Sequence, residues 1–409
     1  MFDLFNEILQ TLRHNKLRTA LTGFAVAWGI FMLIVLLGMG NGVTNSFKEH
    51  ALAPGSQKMR IWGGRTSKPY HGYKEGRSIQ LKNADLALIE KNNHDFVEET
   101  SPIIYGDQAV LSSGKYSRAN ANYNGVSPAQ IKAESSIEKI HGRIFNERDM
   151  EACAKVMILP LDYAKQLFPP DGTNAIGQRV RFGELSFLIV GVFESGWNRD
   201  IYVPYTTAQM LAGNEDNPDS FNVMLKGLSS AEEGDDAEKE LRKTLASNHD
   251  FNPEDDSAVW IWNQFSQGMK GLAAMNILNL SIWILGLLTL LSGVVGISNI
   301  MFVSVKERTH EIGIRRAIGA KPHSILIQII AESVAITTLF GYIGIVLGTL
   351  VTQILDAIFG DTDFLQNPTV DLSTAIQVTV VLIIAGALAG LFPALKSLKV
   401  KPVEALRDE

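Results

Sequence analysis

Residues 271–305 read GLAAMNILNLSIWILGLLTLLSGVVGISNIMFVSV and contain no Asp, Glu, Lys or Arg. At 1.5 Å per residue such a helix would run roughly 50 Å, more than the hydrocarbon core of about 30 Å requires, so one end is expected to stand outside the membrane. Three more stretches qualify as spans when charged residues are taken as boundaries. They are Thr19 to Val43, Ser324 to about Leu355, and Leu372 to Leu395. The third span is interrupted only by Glu332, close enough to its N-terminal end for the carboxylate to reach the interface. Val43, Phe47 and Leu52 continue an apolar stripe beyond the first span, which predicts a second protruding helix.

Lys and Arg positions orient these spans. Arg13, Lys16 and Arg18 precede the first, Lys306, Arg308, Arg315, Arg316 and Lys321 lie between the second and third, and Lys396, Lys399, Lys401 and Arg407 follow the fourth. The loop from Ala357 to Val370 has Asp361 and Asp363 and no basic residue. Both termini and the 306–323 connection are therefore expected in the cytoplasm, and 44–270 outside it. The apolar run of the first span exceeds the roughly 7–15 residues of a signal-peptide core and starts late, which favours a retained helix over a cleaved leader. Leu4, Phe5, Ile8, Leu9 and Leu12 recur at helical spacing, predicting an amphipathic interfacial helix at 1–18 or an extension of the first span.

The reading gives an α-helical membrane protein with four transmembrane helices and a large two-lobed α+β extracytoplasmic domain. Its parts are a cytoplasmic amphipathic helix (1–18), membrane helices at 19–43, 271–305, 324–356 and 372–395, and the exported domain at 44–270. A cytoplasmic helix (306–323), a short outer loop (357–371) and a cytoplasmic tail (396–409) complete it. The pairs Gly23 and Ala27, Gly286 and Gly293, Gly344 and Gly348, and Gly386 and Gly390 mark possible close helix contacts.

The chain has 409 residues, 37 Lys+Arg and 43 Asp+Glu, and a formal charge of −6, which argues against nucleic acid as a partner. Cys153 is the only cysteine, so no intramolecular disulfide or thiolate cluster can form. In the exported domain, strand patterns occur at Lys58–Trp62, Ala109–Leu111, Ala119–Val126, Lys155–Leu159, Val180–Phe182, Phe187–Phe193, Ile201–Val203, Val223–Lys226 and Val259–Trp262, with a hairpin turn at Gly183-Glu184. Helices fit Asn83–Asn92, Pro160–Leu167, Thr206–Leu211 and Ala231–Ser247, and Arg65–Arg77 reads as a mobile loop. The eight histidines offer no H-x-x-x-H metal pair, and neither a G-x-S-x-G elbow nor a phosphate loop occurs. Gly114-Lys115 is the nearest fragment, with Ala109 and Tyr116 where a phosphate loop needs Gly and a hydroxyl. This chain is not expected to hydrolyse ATP itself or to carry a cofactor.

The connection Val305-Lys306-Glu307-Arg308-Thr309-His310-Glu311-Ile312-Gly313-Ile314-Arg315-Arg316-Ala317-Ile318-Gly319-Ala320 places Glu307 and Glu311 on one helix face with Arg315. Ile312, Ile314 and Ile318 offer apolar anchors, and Gly319 with Pro322 supplies a stop. Physics leaves two readings: a docking helix for a cytoplasmic partner, or an interfacial helix held by lipid headgroups.

The string ERTHEIGIRRAIGA closely resembles the E-R-x-x-E-I-G-[IV]-R-[RK]-A-[IL]-G-A motif of FtsX-like ABC transporter permeases. NEILQTLRHNKLRTALT, GMGNGV and FPALKSLKVKPVEALR match the same family in order, while YNGVSPAQIK, HGRIFNERD, AIGQRVRFGELSFLIVGVFE and IYVPYTTAQ resemble the periplasmic core of its MacB branch. The resemblance spans nearly the whole chain. It implies a permease of the bacterial inner membrane, dimerising with a second copy or a paralogue and binding ABC ATPase subunits that hold ATP and Mg. The coupling helix would present Glu307, Arg308, Glu311, Ile312, Arg315, Arg316 and Gly319 to the ATPase. MacB carries its ATPase fused ahead of the first span, so the short leader here implies a separate ATPase subunit. Export through a membrane-fusion protein and an outer-membrane channel is the expected function. Lipoprotein extraction, as in the LolC and LolE permeases, and regulation of a cell-wall hydrolase, as by FtsX, are the alternatives.

Overall fold

The computed structural model describes residues 16–53, 55–134, 136–213, 216–359 and 365–397. The amphipathic helix expected at 1–18 and most of the tail at 396–409 lie outside the described residues. The chain divides into two compact units, one of residues 1–47 and 273–409 and one of residues 48–272, against the expected domain at 44–270.

The membrane unit is built on helices α1 (Lys16–Leu52), α8 (Gln264–Glu307), α10 (Pro322–Phe359) and α11 (Leu372–Ser397), each long and apolar enough to cross a membrane. Both expected extensions are present: α1 continues to Leu52, and α8 starts seven residues before Gly271. Val26, Ile30, Leu33, Ile34 and Leu37 of α1 are buried, packed with Leu290 and Ile297 of α8 and Ile336 of α10.

All four small-residue pairs lie at contacts inside this unit. A side chain at Gly344 would meet the Ala27 carbonyl and Ile30, and one at Gly348 would meet Ile34. Gly286 and Gly293 face Leu33 and Val26, Gly23 lies against the Phe340 ring, and Gly386 and Gly390 receive Thr337 and Ser333 of α10. Backbones thus approach closely where lipid provides no hydrophobic drive, and Ser333 Oγ adds a 2.9 Å hydrogen bond to the Gly386 carbonyl.

The second unit has two lobes joined by one long strand. In the first lobe, β1 (Lys58–Gly63) pairs antiparallel with β10 (Val259–Asn263) and with β9 (Ser220–Leu225), which pairs with the first half of β2 (Val97–Ser113). Alternation places Met59 and Ile61 on one face with Val223, Phe221 and Ile261, under Ile89 of α2 (Asn83–Asn92) and Leu241 and Leu245 of α7 (Ala231–His249). The second half of β2 pairs with β3 (Tyr116–Val126) and opens the other lobe.

There β8 (Ile201–Pro204), β5 (Val156–Pro160), β7 (Leu185–Glu194) and β4 (Lys139–Gly142) continue the sheet, and β6 (Arg179–Phe182) bridges β2 and β7. The expected hairpin joins β6 to β7 with Phe182 opposite Leu185, and Gly183 takes the left-handed φ of 57° that its turn needs. Every residue of β5 is buried, because both sheet faces are covered. One face lies under α5 (Leu161–Leu167) and α6 (Tyr205–Leu211), and the other packs Ile158 with Phe145, Phe193 and Ile131 of α3 (Pro128–Lys132).

The segment Arg65–Arg77, expected as a mobile loop, is tied down near its two ends while residues 71–76 stand exposed. The Asp255 carboxylate accepts hydrogen bonds from the Ser67 amide (2.6 Å), the Ser67 hydroxyl (2.6 Å) and the Lys68 amide (3.0 Å), and Arg77 donates to the His249 and Asp250 carbonyls. Three apolar cores, one in the first lobe and one on each face of the second lobe's sheet, imply that residues 48–272 fold alone in water. Circular dichroism of that isolated segment should show a cooperative thermal transition, and a broad, non-cooperative melt would count against autonomy.

Candidate functional site

The candidate site is the turn between α8 and α10. Helix α8 ends at Glu307, Arg308 takes φ −97° and ψ 13°, and the short helix α9 (Thr309–Ala317) follows. The expected single helix over 306–323 is therefore divided: Glu307 closes α8, and Glu311 lies in the first turn of α9. The bend keeps its hydrogen bonds, because the Arg308 amide donates to Ser304 (3.1 Å) and the Ile312 amide to Arg308 (3.0 Å).

The stop after α9 follows from local chemistry. Gly319 has φ +103°, a region that side chains disfavour. Its amide donates to the Arg316 carbonyl (3.1 Å) while the Ala320 amide reaches back to Arg315 (3.0 Å), the paired bonds of a Schellman cap. Lys321 and Pro322 then start α10.

This geometry separates the three isoleucines. Ile312 is buried with Ile325 and Ile329 of α10 and Met301 of α8, so it anchors α9 to its own chain. Ile314 is 37% exposed and Ile318 82% exposed, on the same face as Glu311. Glu311 and Arg315 form an ion pair at 2.5 Å, and Arg315 also donates to Gln328 of α10 at 3.2 Å. Arg308 points to Glu332, with Nη1 3.6 Å from Oε2, while Arg316 is half-buried. The turn thus brings Arg308, Glu311, Ile312 and Arg315 together, and it leaves Ile314 and Ile318 outward.

Sequence reasoning missed Gln328 and the inward course of Glu332. The available signal was Glu332 itself, an ionisable residue within an apolar run. Among the described residues, no group of three or more His, Cys, Asp or Glu could hold a metal ion. The arrangement leaves two exposed isoleucines bordered by a carboxylate and a guanidinium, while Ile312 on the other side is buried with Ile325, Ile329 and Met301.

Residues 19–244 match the family model described as MacB-like periplasmic core domain, and residues 283–402 match FtsX-like permease C-terminal. A macrolide export ATP-binding/permease protein MacB from Bdellovibrio bacteriovorus is 28% identical over 429 residues, covering 100% of this chain and 62% of that protein. A probable syringafactin export ATP-binding/permease protein SyfD from Pseudomonas syringae pv. tomato is 27% identical, covering 99% and 58%. The chain therefore spans less than two thirds of the length of these curated relatives. Among solved structures, the periplasmic region of MacB from Actinobacillus actinomycetemcomitans matches with a TM-score of 0.43 and 23% identity, over 56% of this chain and 97% of that one.

Proposed function

The chain belongs to the ABC transporter permeases with a MacB-like periplasmic core domain and an FtsX-like C-terminal region, multi-pass proteins of the inner membrane, and on that premise we propose that it is the permease subunit of an exporter. Its ATPase is a separate subunit that docks on α9, and it works as a dimer. The observation that carries this reading is the outward face of α9, where Glu311 and Ile314 of the helix and Ile318 at its C-cap stand exposed. The lack of a phosphate loop supports placing ATP and Mg on that partner. The basic residues around α9 support a cytoplasmic position for it.

At 37 and 44 residues, α1 and α8 exceed the about 20 that a bilayer needs, and we assign them the transmission of ATPase movement to the extracytoplasmic domain. Export is favoured over lipoprotein extraction or hydrolase regulation because the names of both curated relatives contain export. A membrane-fusion protein and an outer-membrane channel would complete such a system.

Replacing Glu307 and Glu311 together with Lys tests the docking. Reversed charge at an interface costs several kcal/mol, so ATPase co-purification should be lost at unchanged permease levels. If α9 were only held by lipid headgroups, added Lys would strengthen attraction to anionic lipid and leave ATPase capture intact. Single cysteines at Glu311 and Arg315 should label from the cytoplasm, and labelling from outside would reject the orientation.

A further inference from the structure

Glu332 lies ten residues into α10, about 15 Å along its axis from Pro322, and is 7% exposed. A carboxylate at such a place in an apolar helix is costly and is retained where it has a partner and a task. Its partner is Arg308, the residue at which the backbone turns from α8 into α9. The guanidinium therefore acts at the bend itself. One helical turn earlier on α10, Gln328 accepts from Arg315 of α9. Between these two polar contacts, Ile312 packs against Ile325 and Ile329. A small, partly open cavity of about 30 Å³ is lined by these residues.

We propose that Glu332 is a positioning residue for α9: through Arg308 it latches α9 to α10 and sets the angle at which Glu311, Ile314 and Ile318 are presented. The proposal rests on the reading of α9 as the ATPase-docking helix. Two contacts one turn apart fix direction as well as distance, which the Ile312 contact alone cannot do. At 3.6 Å, with side-chain exposures of 30% and 9%, the pair is anchored on a buried carboxylate and reached by water from the Arg308 side. Release would let α9 pivot at Arg308 while the Schellman cap preserves the helix.

The test uses the full chain in membranes with cysteines at Arg315 and Gln328, joined by a short bifunctional thiol reagent; these replace the second polar contact, so the yield reads the Arg308–Glu332 pair without it. The native Cys153 lies in the other unit. Crosslinking is compared in the parent, Glu332→Gln, Arg308→Gln and the exchanged pair Arg308→Glu with Glu332→Arg. In parallel, ATPase co-purification is measured in the same four backgrounds without the added cysteines. Both single variants should lower crosslinking yield and ATPase capture several-fold at equal membrane levels, and the exchanged pair should restore both. A carboxylate acting apart from Arg308 would not be rescued by exchange. Unchanged crosslinking in Glu332→Gln overturns the latch. Loss and rescue of crosslinking with constant ATPase capture supports the latch and rejects α9 as the docking helix.

Discussion

Replacing Ile318 with Asp is expected to abolish most ATPase association while leaving the permease folded and inserted. Ile318 is 82% exposed, so the substitution removes no internal contact of consequence. If a partner covers this side chain, its burial contributes about 1.5–3 kcal/mol, and a carboxylate left in the same place adds a desolvation cost. At tenfold per 1.4 kcal/mol, capture of the ATPase should fall by about 10- to 100-fold or more. Ile312→Asp provides the contrast. That side chain is buried among Ile325, Ile329 and Met301, so the variant should lower the amount of folded permease itself. Two isoleucines six positions apart, one within α9 and one at its C-cap, thus predict different phenotypes, separable by blotting for the permease beside ATPase pull-down. Wild-type capture by Ile318→Asp would show that this face is not the docking surface.

Much of this was legible because membrane physics is severe. A run without charge from Gly271 to Val305 has few alternatives to a spanning helix, and α8, α10 and α11 lie where hydropathy placed them. Their ends were less legible. The residues from Gln264 to Lys270 mix Gln, Ser, Gly and Lys with Phe265 and Met269, which pack on the core of the first lobe while the chain continues into α8. In the second unit, Asn83–Asn92 is reproduced to the residue, whereas only Ala109–Leu111 of the long β2 was read. The first half, Val97 to Ile103, mixes Glu, Thr and Pro without clean alternation, and its partner β9 lies more than a hundred residues away. β4 is a four-residue edge strand, too short for a periodic signal. Two short helices did carry local signals that were overlooked: Ser127 before Pro128 caps α3, and Asn146 with Asp149 forms a capping box for α4 (Glu147–Glu151). The charge pattern of α9 was visible in advance, but the sorting of Ile312 inward and the meeting of Arg308 with Glu332 depend on how α10 returns beside α8.

Asp85→Asn should lower the melting temperature of the isolated 48–272 segment by several degrees at neutral pH. The Asp85 side chain is fully buried and accepts hydrogen bonds from the Lys82 amide (2.8 Å), Asn248 Nδ2 (2.6 Å) and His249 Nε2 (2.8 Å), tying the start of α2 to the end of α7. Burial alone would push the carboxyl pKa up. The His249, Lys82 and Asn248 hydrogen bonds outweigh that and hold it below the usual carboxylate value. An Asn side chain keeps the shape but turns one acceptor into a donor facing other donors, so the loss is about 1.5–3 kcal/mol. Because the folded pKa is depressed, the stabilisation is present above the unfolded value near 3.9 and disappears as pH falls through the folded value. The gap between wild type and Asp85→Asn should therefore be widest near neutral pH and close progressively below about pH 4. A gap that stays constant from pH 7 to the acid limit of folding would mean that lost packing, and not the carboxylate charge, explains the variant.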